Sequence, residues 1–140
     1  MIYFQADGIP VPTLEQDRLK DWIHSVAAYY GKCVGTIHYI FCDDERILEV
    51  NRQFLQHDYY TDVITFDYSE GDMLSGDIFI SVDTVRSNAE QVGVSFDEEL
   101  RRIIIHGVLH LTGQEDKSEE AHAEMTRKEE HALGMYAGLE

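Results

Sequence analysis

The sequence predicts an α+β fold: a single mixed sheet of about four strands packed by about five helices, with one buried central helix carrying a pair of histidines. Three observations lead there. From Ile103 to Gln114 no Asp, Glu, Lys or Arg occurs, and Ile103, Ile104, Ile105, Val108, Leu109 and Leu111 cover most of a helical circumference, so other elements must surround that helix. Four short runs rich in β-branched and aromatic residues, bounded by turn-forming residues, read as strands. Between them, apolar residues recur at helical spacing, several times after a capping signal.

Residues 2–7 (IYFQAD) read as a short edge strand closed by Gly8 and Pro10. Thr13 and Gln16 have capping-box spacing, and Leu14, Leu19, Trp22, Ile23, Val26 and Ala27 then recur at helical intervals up to Gly31. Residues 34–41 are β-branched and aromatic, as a core strand requires. Asp43 and Asp44 open a helix carrying Ile47, Leu48, Val50, Asn51 and Phe54, with the acidic residues where the helix dipole favours them. Residues 61–68 and 77–82 are two further strands, near enough to pair as a hairpin around the polar loop 69–75. Asp83 is expected to cap a helix through Val85, Ala89 and Val92 to Gly93. Ser95 and Glu98 form the capping box of the histidine helix. The last helix, about 118–133, is dense in charge and reads as a solvent-facing cover, with His122 and His131 as surface residues.

With 140 residues and 44% apolar content, residues 1–140 are expected to form one domain large enough to bury a core. No run of 18 apolar residues occurs, and the N-terminus lacks a basic region followed by a hydrophobic stretch. A cytoplasmic protein without a membrane partner is therefore expected. Cys33 and Cys42 fall at opposite ends of one predicted strand, too far apart to bridge at ~3.3 Å per residue. The formal net charge of −16 repels polyanions at long range, so a nucleic-acid role needs a local basic patch, divalent cations or a docking protein.

The candidate chemistry lies on the uncharged helix. His106 and His110 are four residues apart, on one face and about one turn (~6 Å) from each other. Gly113 can end the helix in the left-handed conformation, and the turn returns Asp116 toward that face. Two neutral nitrogens, a helix stop and a carboxylate make a three-ligand set with an open fourth position, the pattern of a catalytic zinc site. The bare pair alone reads more readily as core histidines bonded to backbone carbonyls, and it is the added glycine and carboxylate that turn the reading toward metal. In the zinc-peptidase motif a Glu follows the first His as general base; here that position is Gly107, which argues against proteolysis.

These residues also carry a family resemblance. Asn51, Phe54, Asp58 and Thr61–Asp62–Val63–Ile64–Thr65–Phe66 resemble the N-x-x-[YF]-R-x-x-D-x-x-T-D-V-L-S-F segment of the YbeY family of bacterial rRNA-maturation endoribonucleases. Gly76–Asp77–Ile78 resembles its L-G-D-I strand, and His106 to Gly113 resembles its H-G-x-L-H-L-x-G signature. The match runs from about Asp43 to Glu129. It implies an α+β metal-dependent hydrolase with one zinc, acting on single-stranded RNA in 16S rRNA 3′-end maturation and ribosome quality control. The implied partners are ribosomal RNA in the small subunit and a basic small-subunit ribosomal protein or an assembly GTPase.

Two departures follow. Asp116 stands where the family carries a third His, which tilts the site toward harder divalent ions, and Leu55 stands where it carries an Arg suited to phosphate. Arg52, three residues earlier, could reach the same cleft. Glu115 is the nearest spare carboxylate able to accept a proton from a metal-activated water. The expected metal ligands are thus His106, His110 and Asp116, with Glu115 and Arg52 as candidate catalytic residues beside the histidines. The rival readings are a ribosome-assembly factor with a largely structural metal, and a metallohydrolase acting on peptide.

Overall fold

A computed structural model describes residues 1–57 and 61–138. The order of elements is β1 (Ile2–Ala6), α1 (Gln16–Tyr29), β2 (Cys33–Cys42), α2 (Asp44–Leu55), β3 (Val63–Asp67), β4 (Met73–Ser81), α3 (Val82–Val92), α4 (Phe96–Leu111) and α5 (Glu119–Ala137). The four strands form one sheet in the order β1-β2-β4-β3. β1 and β4 run parallel to β2, and β3 runs antiparallel to β4. The sheet is therefore mixed, as predicted, and residues 61–82 do form the expected hairpin. β3 is an edge strand, a placement that matters for the site.

Ile37, Tyr39, Phe41, Leu74, Ile78 and Ile80 alternate along β2 and β4 and point to one face, where α1, α4 and α5 bury them. The phenol of the wholly buried Tyr39 donates to the Ile104 carbonyl at 2.9 Å, tying the central strand to the middle of α4. Trp22 Nε1 donates to the Ala132 carbonyl at 2.7 Å, tying α1 to α5. On the other face α2 buries Ile47 and Val50 against Cys42 and Ile64. Cys33 is exposed and Cys42 buried, and both are free.

Gly107 shows how closely α4 approaches the sheet. A Cβ there would lie 2.8 Å from Ile78 Cδ1, so any side chain at this position would collide with β4. The residue after the first histidine faces the core and not the cleft, which explains why no general base stands there.

Three predicted details are corrected. The Thr13 capping box does not form: α1 starts at Gln16, its N-cap is Glu15, and no side chain caps it. Thr13 lies two residues too early to meet the first free amides. Asp83 does not cap α3, because β4 runs straight into the helix and Ser81 takes the cap, accepting from the Thr84 amide. The Asp83 carboxylate instead accepts the Asp44 amide at 3.1 Å, holding the start of α2. The C-terminal helix is no mere cover, since Met125, Glu129, Ala132 and Tyr136 are buried along one stripe at helical spacing.

Candidate metal centre

The buried histidine helix forms as its capping box predicts: Ser95 Oγ accepts the Glu98 amide at 3.1 Å. Fifteen residues later the chain must turn, and Gly113 does so with φ at 102°, a conformation open mainly to glycine. The loop then brings Asp116 back beside the two histidines. The ligand atoms of His106, His110 and Asp116 all lie within 4.8 Å of one another. His106 Nε2 is 3.7 Å from Asp116 Oδ2, and the two imidazoles meet edge to face at 4.7 Å between centroids. Donors around one tetrahedral zinc are roughly 3.4 Å apart at bond lengths of ~2.1 Å. Side-chain rotation of about an ångström therefore closes the set on an ion, and the donors fit.

A fourth residue orients the set. His106 Nδ1 donates to Glu129 Oε2 at 2.6 Å, which in the neutral ring leaves the lone pair on Nε2, the nitrogen that faces Asp116. The Glu129 side chain is only 10% exposed, and Arg102 holds its other oxygen at 3.1 Å. A carboxylate behind a ligand histidine fixes its tautomer and ring angle and raises its basicity. Burial pulls the His106 pKa down, but the bonded and charged Glu129, Asp116 and Asp62 outweigh it, and the net direction is up. His110 goes the other way, lowered by burial and by the neighbouring His106 charge against the opposing pull of Asp116. Asp62 is raised by burial, an effect the His106 charge partly offsets.

Asp116 is itself steadied by His122, whose Nδ1 donates to Asp116 Oδ1 at 2.6 Å from a side chain that is 70% exposed. The sequence reading of His122 as a surface residue is correct for its exposure and misses this contact. The Glu129 contact was missed entirely, because one carboxylate in a highly charged helix carries no mark of its own. The available signal was its register with Met125, Ala132 and Tyr136.

The ligand set opens into a cleft of about 570 Å³. His110 and Asp116 line it beside Asn51 and Leu55 of α2, Thr65 and Asp67 of β3, and Lys117. Leu55 thus faces the cleft. Arg52 is exposed on the last turn of α2, and the α2 side of the cleft is lined by Asn51 and Leu55. Glu115 is exposed, its carbonyl accepts from Gln114 Nε2, and it is absent from the cleft lining among the described residues. Asp58 lies outside the described residues. A second depression, of about 590 Å³, lies between α4 and α5 and has charged walls but no ligand histidine.

Fold and site together define an α+β protein in which two histidines and one carboxylate lie close enough to hold a metal ion, beside the edge of a mixed sheet. Comparison with known proteins agrees with that class. A model of the family described as "Endoribonuclease YbeY" matches residues 5–137. A protein of that name from Bacteroides thetaiotaomicron is 56% identical over 134 residues, covering 96% of this chain and 98% of its own. Another from Phocaeicola vulgatus is 57% identical over 135 residues, with the same two coverages. A Thermotoga maritima protein solved in solution superposes with a TM-score of 0.66 at 29% identity, covering 99% of this chain and 93% of its own. The chain belongs to the YbeY family.

Proposed function

We propose that residues 1–140 form one metal-dependent, single-strand-specific endoribonuclease domain that acts in 16S rRNA 3′-end maturation and ribosome quality control. The observation that carries this reading is the convergence of His106, His110 and Asp116 at one end of an open cleft, in a chain whose relatives are named endoribonucleases. His106, His110 and Asp116 would hold the ion, which we take to be zinc or, given the carboxylate, a harder divalent metal. When bound, such an ion polarises a phosphoryl oxygen and lowers the pKa of water from ~15.7 toward ~7.

The chain's own part is positioning. Glu129, braced by Arg102, keeps His106 Nε2 turned to Asp116. Gly113 and His122 place Asp116, and α2 and β3 supply the other walls of the cleft. A peptidase role is disfavoured because position 107 is packed against Ile78 and cannot supply a base. The charge of −16 favours docking through a basic small-subunit ribosomal protein or an assembly GTPase, in the cytoplasm. It is also the observation behind the second reading, an assembly factor whose metal is largely structural. No described helix is long and apolar enough to cross a membrane.

The test is cleavage of a small-subunit rRNA precursor by purified protein before chelation, after chelation and after metal is restored. Activity lost and regained supports the proposal. Metal bound without any cleavage supports the assembly-factor reading.

A further inference from the structure

A phosphodiester that reaches His106 and His110 enters a cleft whose walls carry two carboxylates, Asp67 and Asp116, in a molecule of net charge −16. A divalent ion at the ligand set would offset part of that field, and a protein cation in the cleft would offset more of it. Lys117 is the only lysine or arginine among the described residues lining it.

Most other cations of the chain are committed elsewhere. Arg46 is paired with Asp7 and Glu49, Arg102 with Glu129 and Glu130, Lys32 with Asp72 and Arg18 with Glu15. Arg86, Arg101 and Lys128 lie over the rings of Phe96, Tyr136 and Tyr30. Lys117 has no carboxylate partner among the described residues. It directly follows Asp116, so its ammonium is tethered one residue from the ligand set, in the same cleft that the apolar Leu55 lines.

We propose that Lys117 is the residue that contacts RNA phosphate in this cleft, supplied by the ligand loop and not by α2. The inference rests on the reading of the chain as an RNA-cleaving enzyme. A lysine acts on phosphate as a compact point charge, not as a two-pronged fork. The contact is therefore electrostatic, sequence-independent and tolerant of Arg.

The test uses full-length protein stripped of metal, so that no cleavage intervenes, and a fluorescent single-stranded oligouridylate whose anisotropy is read across a salt series. Each phosphate contact on a single strand contributes roughly 0.7 to the slope of log affinity against log salt. Lys117→Ala should lower that slope by roughly 0.7, which at about 0.1 M salt weakens binding roughly fivefold. Its metal content and melting temperature should stay those of the wild type. Lys117→Arg should keep the wild-type slope, and Leu55→Arg placed in the Lys117→Ala background should restore it from α2. With metal restored, Lys117→Ala should raise KM and leave kcat nearly unchanged.

A wild type that binds RNA with a salt-dependent slope which Lys117→Ala leaves untouched overturns this proposal alone. Loss of metal from Lys117→Ala overturns it too, by showing that the residue supports the ligand loop. A wild type with no salt-dependent RNA binding removes both this proposal and the RNA reading beneath it.

Discussion

His106 turns its outer nitrogen to Asp116 because Glu129 takes the inner one at 2.6 Å. If that contact sets the ligand geometry, Glu129→Gln should lower metal affinity by roughly 10-fold and Glu129→Ala by up to about 100-fold, the range typical of damage behind a metal ligand. Competition against a chromophoric chelator measures both, and wild-type affinity in Glu129→Ala would show that something else orients the ring. His106, His110 and Asp116 were legible in the sequence, because a one-turn spacing and a glycine stop place three donors together whatever surrounds them. Glu129 was not, because its partner lies 23 residues earlier in the chain and its helix is full of other carboxylates. Leu55 could be assigned to the cleft from its motif, whereas the position of Lys117 in the same cleft depends on how the loop after Gly113 folds.

At the scale of elements, the decisive contact is α4 against β4. A carboxylate introduced by Gly107→Glu would meet Ile78 in the core and not the ion. An uncompensated buried charge costs about 3–5 kcal/mol, so the variant should melt far below the wild type and gain no peptide hydrolysis. Thermal melting checks this; a Gly107→Glu protein as stable as the wild type would mean that α4 does not pack on Ile78 so closely. The helices and strands were readable because their apolar residues follow periods of 3.6 and 2. Boundaries were less so where pairing overrides propensity. β4 begins at Met73, well before the run of β-branched residues, because Met73 and Leu74 pair with Cys33 and Val34 of β2. Thr13 and Asp83 looked like caps because their spacing to the next helix was right, yet the chain enters α1 later and α3 earlier than that spacing assumed.

For the molecule as a whole, the two histidines link stability to pH in opposite directions. His106 holds its proton more tightly folded than unfolded. Its contribution to the metal-free protein is full below the ordinary value of 6.5 and is lost as pH rises through the elevated folded value. His110 holds its proton less tightly, so its contribution is present above 6.5 and is lost as pH falls through the lowered value. Metal binding requires both rings neutral, and its stabilisation grows as protons leave His106. The gap in melting temperature between metal-loaded and chelated protein should therefore widen from about pH 6 to about pH 8, and melts in matched buffers check it; a gap that narrows would mean that His106 is no ligand. The most direct test of the central claim is the number of metal ions per chain, measured by elemental analysis of wild type, His106→Ala and His110→Ala purified alike. The account predicts one ion in the wild type and none above background in either variant; full occupancy in a variant, or a wild type that takes up no stoichiometric ion, would contradict it.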